Sequence, residues 1–236
     1  MIEFDEAHKH YRTPGAEAGS DIRAVDGVSL AVGAAELVAL YGPSGSGKTT
    51  LLLLAGGLLR CDSGSVRFDG RDLGGLSKRE LLEFRRTKLG IVFQNFNLVP
   101  GLSAEENVAL PLLLRGVHHS AALKRALATL DDVGLLRRAR HPPAQLSGGE
   151  QQRASIARAL VGEPSLILAD EPTGNLDTET GDAVLGQLSD LARERGVGVI
   201  LVTHDARVAG YADRVLAMRD GKLADVDPQA ITRAGR

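Results

Sequence analysis

Three short apolar runs punctuate the chain, and each is bounded by a residue that stops it. Leu37-Val38-Ala39-Leu40-Tyr41 ends at Gly42, Leu166-Ile167-Leu168-Ala169 is entered after Pro164, and Val197 to Val202 follows a stretch with helical spacing. Apolar runs of this length, without polar alternation, predict strands covered on both faces. Between the second and third runs, Val184, Leu185, Leu188, Leu191 and Ala192 share one face of a helix predicted over Asp182 to Arg195. Gly196 predicts its end, because glycine accepts the left-handed conformation that closes a helix. Strands alternating with helices imply an α/β fold around a largely parallel sheet.

The pattern changes between about Gln94 and Pro143, where helical spacing replaces the β-branched runs. Ser103-Ala104-Glu105-Glu106 has the spacing of a capping box, as does Ser77-Lys78-Arg79-Glu80 before it. Leu123, Leu127, Leu130 and Gly134 outline a further helix and its end. Within a single domain over 1–236, a helical subdomain is therefore expected at about 95–162, inserted into the α/β core. Arg219-Asp220-Gly221-Lys222 predicts a late hairpin turn.

Composition narrows the class. With 236 residues, 43% hydrophobic and 25% charged, the chain can bury a sizeable core without disulfides or a structural metal. Its 28 basic and 30 acidic residues leave a formal charge of -2, which argues against a basic nucleic-acid coat or an acidic tail. The longest apolar run, Leu51 to Leu59, is interrupted by Gly56 and Gly57 and is about half the ~20 residues that a membrane span needs. The N-terminal MIEFDEAHKHY has no apolar stretch of signal-peptide type, and Cys61 is the single cysteine. A soluble, intracellular chain is expected, with a membrane protein still open as its partner.

The strongest local signal is Gly42-Pro43-Ser44-Gly45-Ser46-Gly47-Lys48-Thr49, a complete GxxxxGK[ST] loop between a predicted strand and the run Thr50 to Leu54. Its glycines let the backbone wrap phosphate oxygens, and the helix that follows adds a partial positive charge. Lys48 is expected at the β- and γ-phosphates and the Thr49 hydroxyl on magnesium. Asp170 ends the run Leu166 to Ala169, so its carboxylate should emerge at the sheet's carboxyl edge, where open α/β sheets bind ligands. Glu171 follows, and alternation is expected to turn it away from Asp170. Asp170 then suits the metal shell and Glu171 the base for an attacking water. Spacing leaves two residues open. His204 beyond Val199 to Val202, and Gln94 after Ile91-Val92-Phe93, suit either a phosphate, water or metal contact or a plain structural role.

Leu146-Ser147-Gly148-Gly149-Glu150-Gln151-Gln152-Arg153 opens another helix, through Ser155, Ile156 and Leu160, with Ser147 as a possible N-cap. It supplies a second helix N-terminus suited to phosphate, although one nucleotide needs only one cradle. This segment resembles the signature motif of the ATP-binding-cassette (ABC) ATPases, and the resemblance covers nearly the whole chain. Gly42 to Thr49 is similar to Walker A, Gln94 to the Q-loop, Leu166 to Glu171 to Walker B, Asn175-Leu176-Asp177 to the D-loop and His204 to the switch histidine. Tyr11 sits where the family carries an adenine-stacking aromatic, although the Gly/Ala-rich loop Thr13 to Ser20 is longer than in many relatives. Val92 to Pro100, Glu106-Asn107-Val108, Gln145 to Arg153 and Ala169 to Asp177 are similar to the MacB/LolD-type group.

The resemblance implies a P-loop, RecA-like core with a mixed, mainly parallel sheet, an inserted helical subdomain and an N-terminal antiparallel β portion. It implies ATP and Mg²⁺, with Thr49, Gln94 and Asp170 on the metal. Glu171, His204 and Gln94 become the catalytic set. Tyr11, the loop Gly42 to Thr49 with Thr50, and Asp177 bind nucleotide, and Ser147, Gly148 and Gly149 do so in trans, within a head-to-tail pair of identical chains. It also implies a separate transmembrane permease, docked around Asn95 to Leu114, at the cytoplasmic face of a membrane. Export or lipoprotein release is the expected task, and no nucleic-acid partner is expected. The competing class, a DNA-repair or chromosome-associated head, usually carries a long coiled-coil insertion, and none fits between Gln94 and Leu146. The basic clusters Arg85-Arg86-Lys88 and Arg137-Arg138-Arg140 read as solvated helix faces.

Overall fold

The computed structural model describes residues 1–12 and 22–226, so the loop Thr13 to Ser20 lies outside the described residues. Two sheets form the frame. Strands β1 (Ile2–Tyr11), β2 (Ile22–Val32), β4 (Ser63–Phe68) and β5 (Arg71–Asp72) make an antiparallel sheet in the order β2-β1-β4-β5. Strands β3 (Leu37–Tyr41), β6 (Leu89–Val92), β7 (Leu166–Asp170), β8 (Gly198–Thr203), β9 (Arg214–Arg219) and β10 (Lys222–Asp225) make the second, ordered β10-β9-β3-β8-β7-β6. Every pairing in it is parallel except that of the edge strand β10, which returns through the expected hairpin. Asp220 at φ 49 and Gly221 at φ 79 make that turn, both in the left-handed region that a two-residue hairpin favours.

The apolar runs are continuous because both faces of the parallel sheet are covered. Val38, Leu40, Leu166, Leu168, Ile200 and Val202 join a cluster with Leu51 and Leu54 of α1 (Lys48–Ala55) and with Ile2, Phe4 and Val66 of the antiparallel sheet. Their alternates Leu37, Ala39, Ile167, Ala169, Val199 and Leu201 join a second cluster. Helices α3 (Ala104–Leu114), α4 (His119–Asp132), α5 (Gly148–Leu160) and α6 (Thr178–Arg195) pack there. Burying this many Leu, Ile and Val side chains, at roughly 1.5–3 kcal/mol each, is the main favourable term holding the layers together.

Local chemistry sets the helix ends. Ser77, Ser103 and Ser147 each cap a helix, with Glu80, Glu106 and Glu150 reaching back to the cap backbone; the first of the three opens α2 (Lys78–Lys88). Asp177 caps α6, and Gly196 at φ 65 ends it as expected. Asn107, fully buried in α3, accepts the Val99 N–H and donates to the carbonyls of Val99, Leu102 and Ser103, which fixes the loop entering that helix. Among the described residues, no helix is long and apolar enough to cross a membrane.

Register places the functional edge. Tyr41 pairs with Thr203, and Asp170 pairs with Val202, so β3, β7 and β8 end at one level. The residues that follow them, Gly42, Glu171 and His204, therefore meet at the carboxyl edge of the sheet.

Candidate active site

Gly42 leaves β3 in contact with β8 and β9. Its N–H donates to the Thr203 carbonyl at 3.3 Å, and a Cβ there would lie 2.2 Å from the Met218 carbonyl oxygen. Gly47 is equally constrained: φ is 106, and a Cβ would stand 1.9 Å from the Ala24 carbonyl oxygen. Any other residue would clash and be strained. Helix α1 starts at the next residue with no side chain capping it, so the N–H groups of its first turn remain available to a ligand. Lys48 is buried inside the loop, where its ammonium donates to the carbonyls of Gly42 (2.8 Å) and Pro43 (2.9 Å). Burial pushes the Lys48 pKa down, opposed by the charges of Glu171 and Asp170.

Two carboxylates face this lysine. Burial, and then the charge of Glu171, raises the Asp170 pKa, while Lys48 and the Thr49 side chain pull it down. Glu171 lies beyond the strand at φ 47, in the left-handed region. The expected alternation therefore does not operate: the strand ends at Asp170, and both carboxylates line one pocket. Glu171 Oε2 accepts from the Thr203 hydroxyl (3.2 Å) and the His204 N–H (3.3 Å), and stands 2.9 Å from His204 Nδ1. Among the described residues these side-chain contacts all use Oε2.

The pocket, about 330 Å³, brings together Ser44, Gly45, Gly47, Lys48, Thr49, Thr50, Gln94, Asp170 and Glu171, with Ala24 at its wall. His204 joins through Glu171 and is itself exposed. Gln94 is held against the following loop, where Asn175 donates to its carbonyl at 2.9 Å and to Asn95 Oδ1 at 3.0 Å. A Cβ on Gly174 would lie 2.9 Å from Gln94 Nε2.

Nine expected site residues lie outside this lining: Gly42, Pro43 and Ser46 of the loop, His204, Ser147, Gly148, Gly149, Asp177 and Tyr11. Ser147, Gly148 and Gly149 form the start of α5, with Gly148 against Leu176 and Gly149 so close to Thr180 that a Cβ would come within 2.3 Å. Asp177 accepts from the Thr180 N–H (3.0 Å) and hydroxyl (2.7 Å), bonds that hold its carboxyl below the usual range. Tyr11 is 40% exposed at the end of β1.

Some connecting residues carry no signal in the sequence. Thr203 reads as the last residue of an apolar strand, yet it supports Glu171. Gln152 sits among charged neighbours, yet it is fully buried and donates from Nε2 to the Pro172 carbonyl at 2.7 Å, linking α5 to the loop after β7. Arg158, later on α5, is half-buried and donates to the carbonyls of Phe96 (2.7 Å) and Asn97, two residues with positive φ. Arg207 bridges Asp205 to the Thr178 carbonyl (2.7 Å) and Asp182 (3.2 Å), joining the segment after His204 to the start of α6. A motif scan sees none of these because each is a single residue.

Comparison with known proteins matches the chain. A family model described as ABC transporter covers residues 25–174. The lipoprotein-releasing system ATP-binding protein LolD of Hyphomonas neptunium is 47% identical over 208 residues, 88% of this chain and 91% of the relative. The macrolide export ATP-binding/permease protein MacB of Syntrophobacter fumaroxidans is 47% identical over 225 residues, 94% of this chain but 31% of that longer protein. Among solved structures, a dimeric ATP-binding cassette in a post-hydrolysis state with ADP and Pi superposes with a TM-score of 0.84 at 41% identity, covering 94% of this chain and 96% of the other.

Proposed function

The chain belongs to the ABC transporter family, and from that premise we propose that it is the ATP-hydrolysing subunit of a MacB/LolD-type system, working as a pair of identical chains beneath a separate transmembrane permease. The observation that carries this reading is the convergence of Lys48, Thr49, Gln94, Asp170 and Glu171 on one pocket at the sheet edge, with a second small-residue helix end outside it. A single chain therefore holds one phosphate cradle and the free half of another.

The division of labour follows from the geometry. Backbone N–H groups of Gly45 to Thr49, with Thr50 in the same first turn, wrap the phosphates of ATP. Lys48 exchanges its bonds to Gly42 and Pro43 for phosphate oxygens. Thr49, Asp170 and Gln94 present only oxygen donors, a set that fits Mg²⁺. That ion would neutralise phosphate charge as the terminal bond breaks. Glu171 is oriented through Oε2 by Thr203 and His204, which leaves Oε1 to take the proton of an attacking water. His204 keeps that carboxylate aimed, and Tyr11 stacks on adenine.

Ser147, Gly148 and Gly149 serve the nucleotide of the partner copy, and Asp177 lies beside them across the same junction. Helices α3 to α5, within about 95–162, act as the inserted helical unit. The permease docks on the groove of about 310 Å³ between Arg85, Phe93, Leu110, Leu114 and Arg158, which adjoins the Gln94 loop and borders the surface from Asn95 to Leu114. Docking there puts the chain at a membrane, and lipoprotein release or export is the task that the MacB/LolD likeness supports. Glu171→Gln tests the core of this reading. ATP binding should persist while turnover is lost, and unaltered hydrolysis would remove Glu171 as the base.

A further inference from the structure

Away from the nucleotide pocket, Glu6, His8 and His10 recur at every second position of β1, and Asp26 meets them from β2. Residues two apart tend to share a strand face, although β1 carries register shifts here. The His8 and His10 rings stand edge to face with centroids 6.0 Å apart. One ligand atom from each of His8, His10 and Asp26 falls within 4.8 Å of the other two. We propose that these three residues form a binding site for a transition-metal ion of the Zn²⁺ class.

The donor chemistry selects the ion. Two imidazole nitrogens and a carboxylate favour Zn²⁺, Co²⁺, Ni²⁺ or Cu²⁺ over Mg²⁺ and Ca²⁺, which take oxygen. His10 Nε2 is buried and has no hydrogen-bond partner among the described residues, so a nitrogen stands ready without a competing bond. His8 Nδ1 lies 3.1 Å from the Gly27 N–H and 3.3 Å from Asp26 Oδ1. Nδ1 has a single lone pair, so an ion bound between it and Asp26 would take the place of the Gly27 N–H on the ring.

Neighbouring charges leave room for it. Arg23 (3.7 Å) and Lys222 (3.6 Å) approach Asp26 through Oδ2, not Oδ1. Both arms are more than two-thirds exposed, and exposed pairs of this kind are weak, so they can swing aside. Glu6 adds negative charge on the same rim, where its Oε2 and His8 Cε1 lie 3.4 and 3.5 Å from the point a Cβ on Gly27 would occupy. Bonds of about 2.0–2.1 Å would draw the three ligand atoms closer together, by rotation of partly exposed rings. A bound ion would tie β1 to β2 one residue before Tyr11.

The test uses the purified full chain, free of nucleotide and Mg²⁺, titrated with ZnCl₂ by calorimetry and with CoCl₂ by visible absorption. One ion per chain is expected, with uptake weakened about tenfold or more in His10→Gln and Asp26→Asn. Lys222→Ala should bind more tightly, because a competing cation is gone. Asp170→Asn should leave the stoichiometry unchanged, which separates this site from the nucleotide pocket. Thermal unfolding without metal checks that each variant is folded. Uptake that is absent in the native chain, or equal in native, His10→Gln and Asp26→Asn proteins, would overturn the proposal. If His10→Gln fails to fold, unchanged affinity in Lys222→Ala would contradict it.

Discussion

Helix α1 begins after Gly47, which carries no side chain and sits at φ 106, whereas α5 begins after Ser147, whose hydroxyl accepts the Glu150 N–H at 3.3 Å. At α5 the Glu150 carboxylate also takes the Ser147 N–H at 2.8 Å, so a complete box satisfies that end from within the chain. The first helix end is left for a ligand to satisfy. The second is already capped from within the chain. Burial differs in the same sense. Lys48 is enclosed by its own loop, while Ser147 to Gly149 ride on the loop of Leu176 and on Thr180, outside the pocket. On the proposed function, one cradle holds a nucleotide and the other covers the partner's.

Substitutions can break this contrast, beginning where the effect is greatest. Glu171→Gln should lower kcat by about 10²–10⁴-fold, the span typical of removing a general base, with ATP affinity kept. Steady-state hydrolysis beside equilibrium nucleotide binding separates the two. Lys48→Ala should weaken ATP binding by about tenfold to a hundredfold, the value of one charge-assisted bond, and retained affinity would contradict the enclosed cradle. Gly47→Ala should fail to fold correctly or lose nucleotide binding, because the new Cβ meets the Ala24 carbonyl oxygen.

The capped end predicts gentler losses. Ser147→Ala should cost about 1 kcal/mol of stability in denaturant titrations, as an N-cap does, and leave binding to an isolated chain unchanged. The smallest effect concerns pH. The Ser147 backbone bond, and then Arg138, holds the Glu150 carboxyl below its usual value. A depressed folded-state pKa contributes stability above the unfolded value, near 4.5, and loses it as pH falls through the lower folded value. Denaturation midpoints should therefore drop on acidification below about pH 4.5, with a shallower slope in Glu150→Gln. Equal slopes would show that the box contributes nothing there.

The sequence made the two helix ends legible to different depths. Gly42 to Thr49 and Asp170-Glu171 announce themselves because phosphate chemistry demands fixed residue types at fixed spacing. The parallel strands β3, β7 and β8 were readable because both of their faces are buried. The antiparallel sheet was not readable from residues: before Tyr11, β1 has apolar side chains only at Ile2, Phe4 and Ala7, and Glu6 at φ 43 breaks the alternation. Nor could alternation foresee Glu171, whose direction is set by a left-handed backbone and by Thr203 and His204 from another strand. Gln152 was hidden for a related reason, since its buried partner is a carbonyl 20 residues away.

The central claim is that the capped end completes the site of a second copy. It is tested by trapping ATP in a Glu171→Gln background, with one chain also carrying Lys48→Ala and the other Ser147→Arg. A mixed pair then has one site with both halves intact and one with neither. Nucleotide counted per isolated pair should be one for the mixture, while neither parent alone forms an ATP-bound pair. Two nucleotides trapped in pairs made only of Ser147→Arg chains would contradict the account.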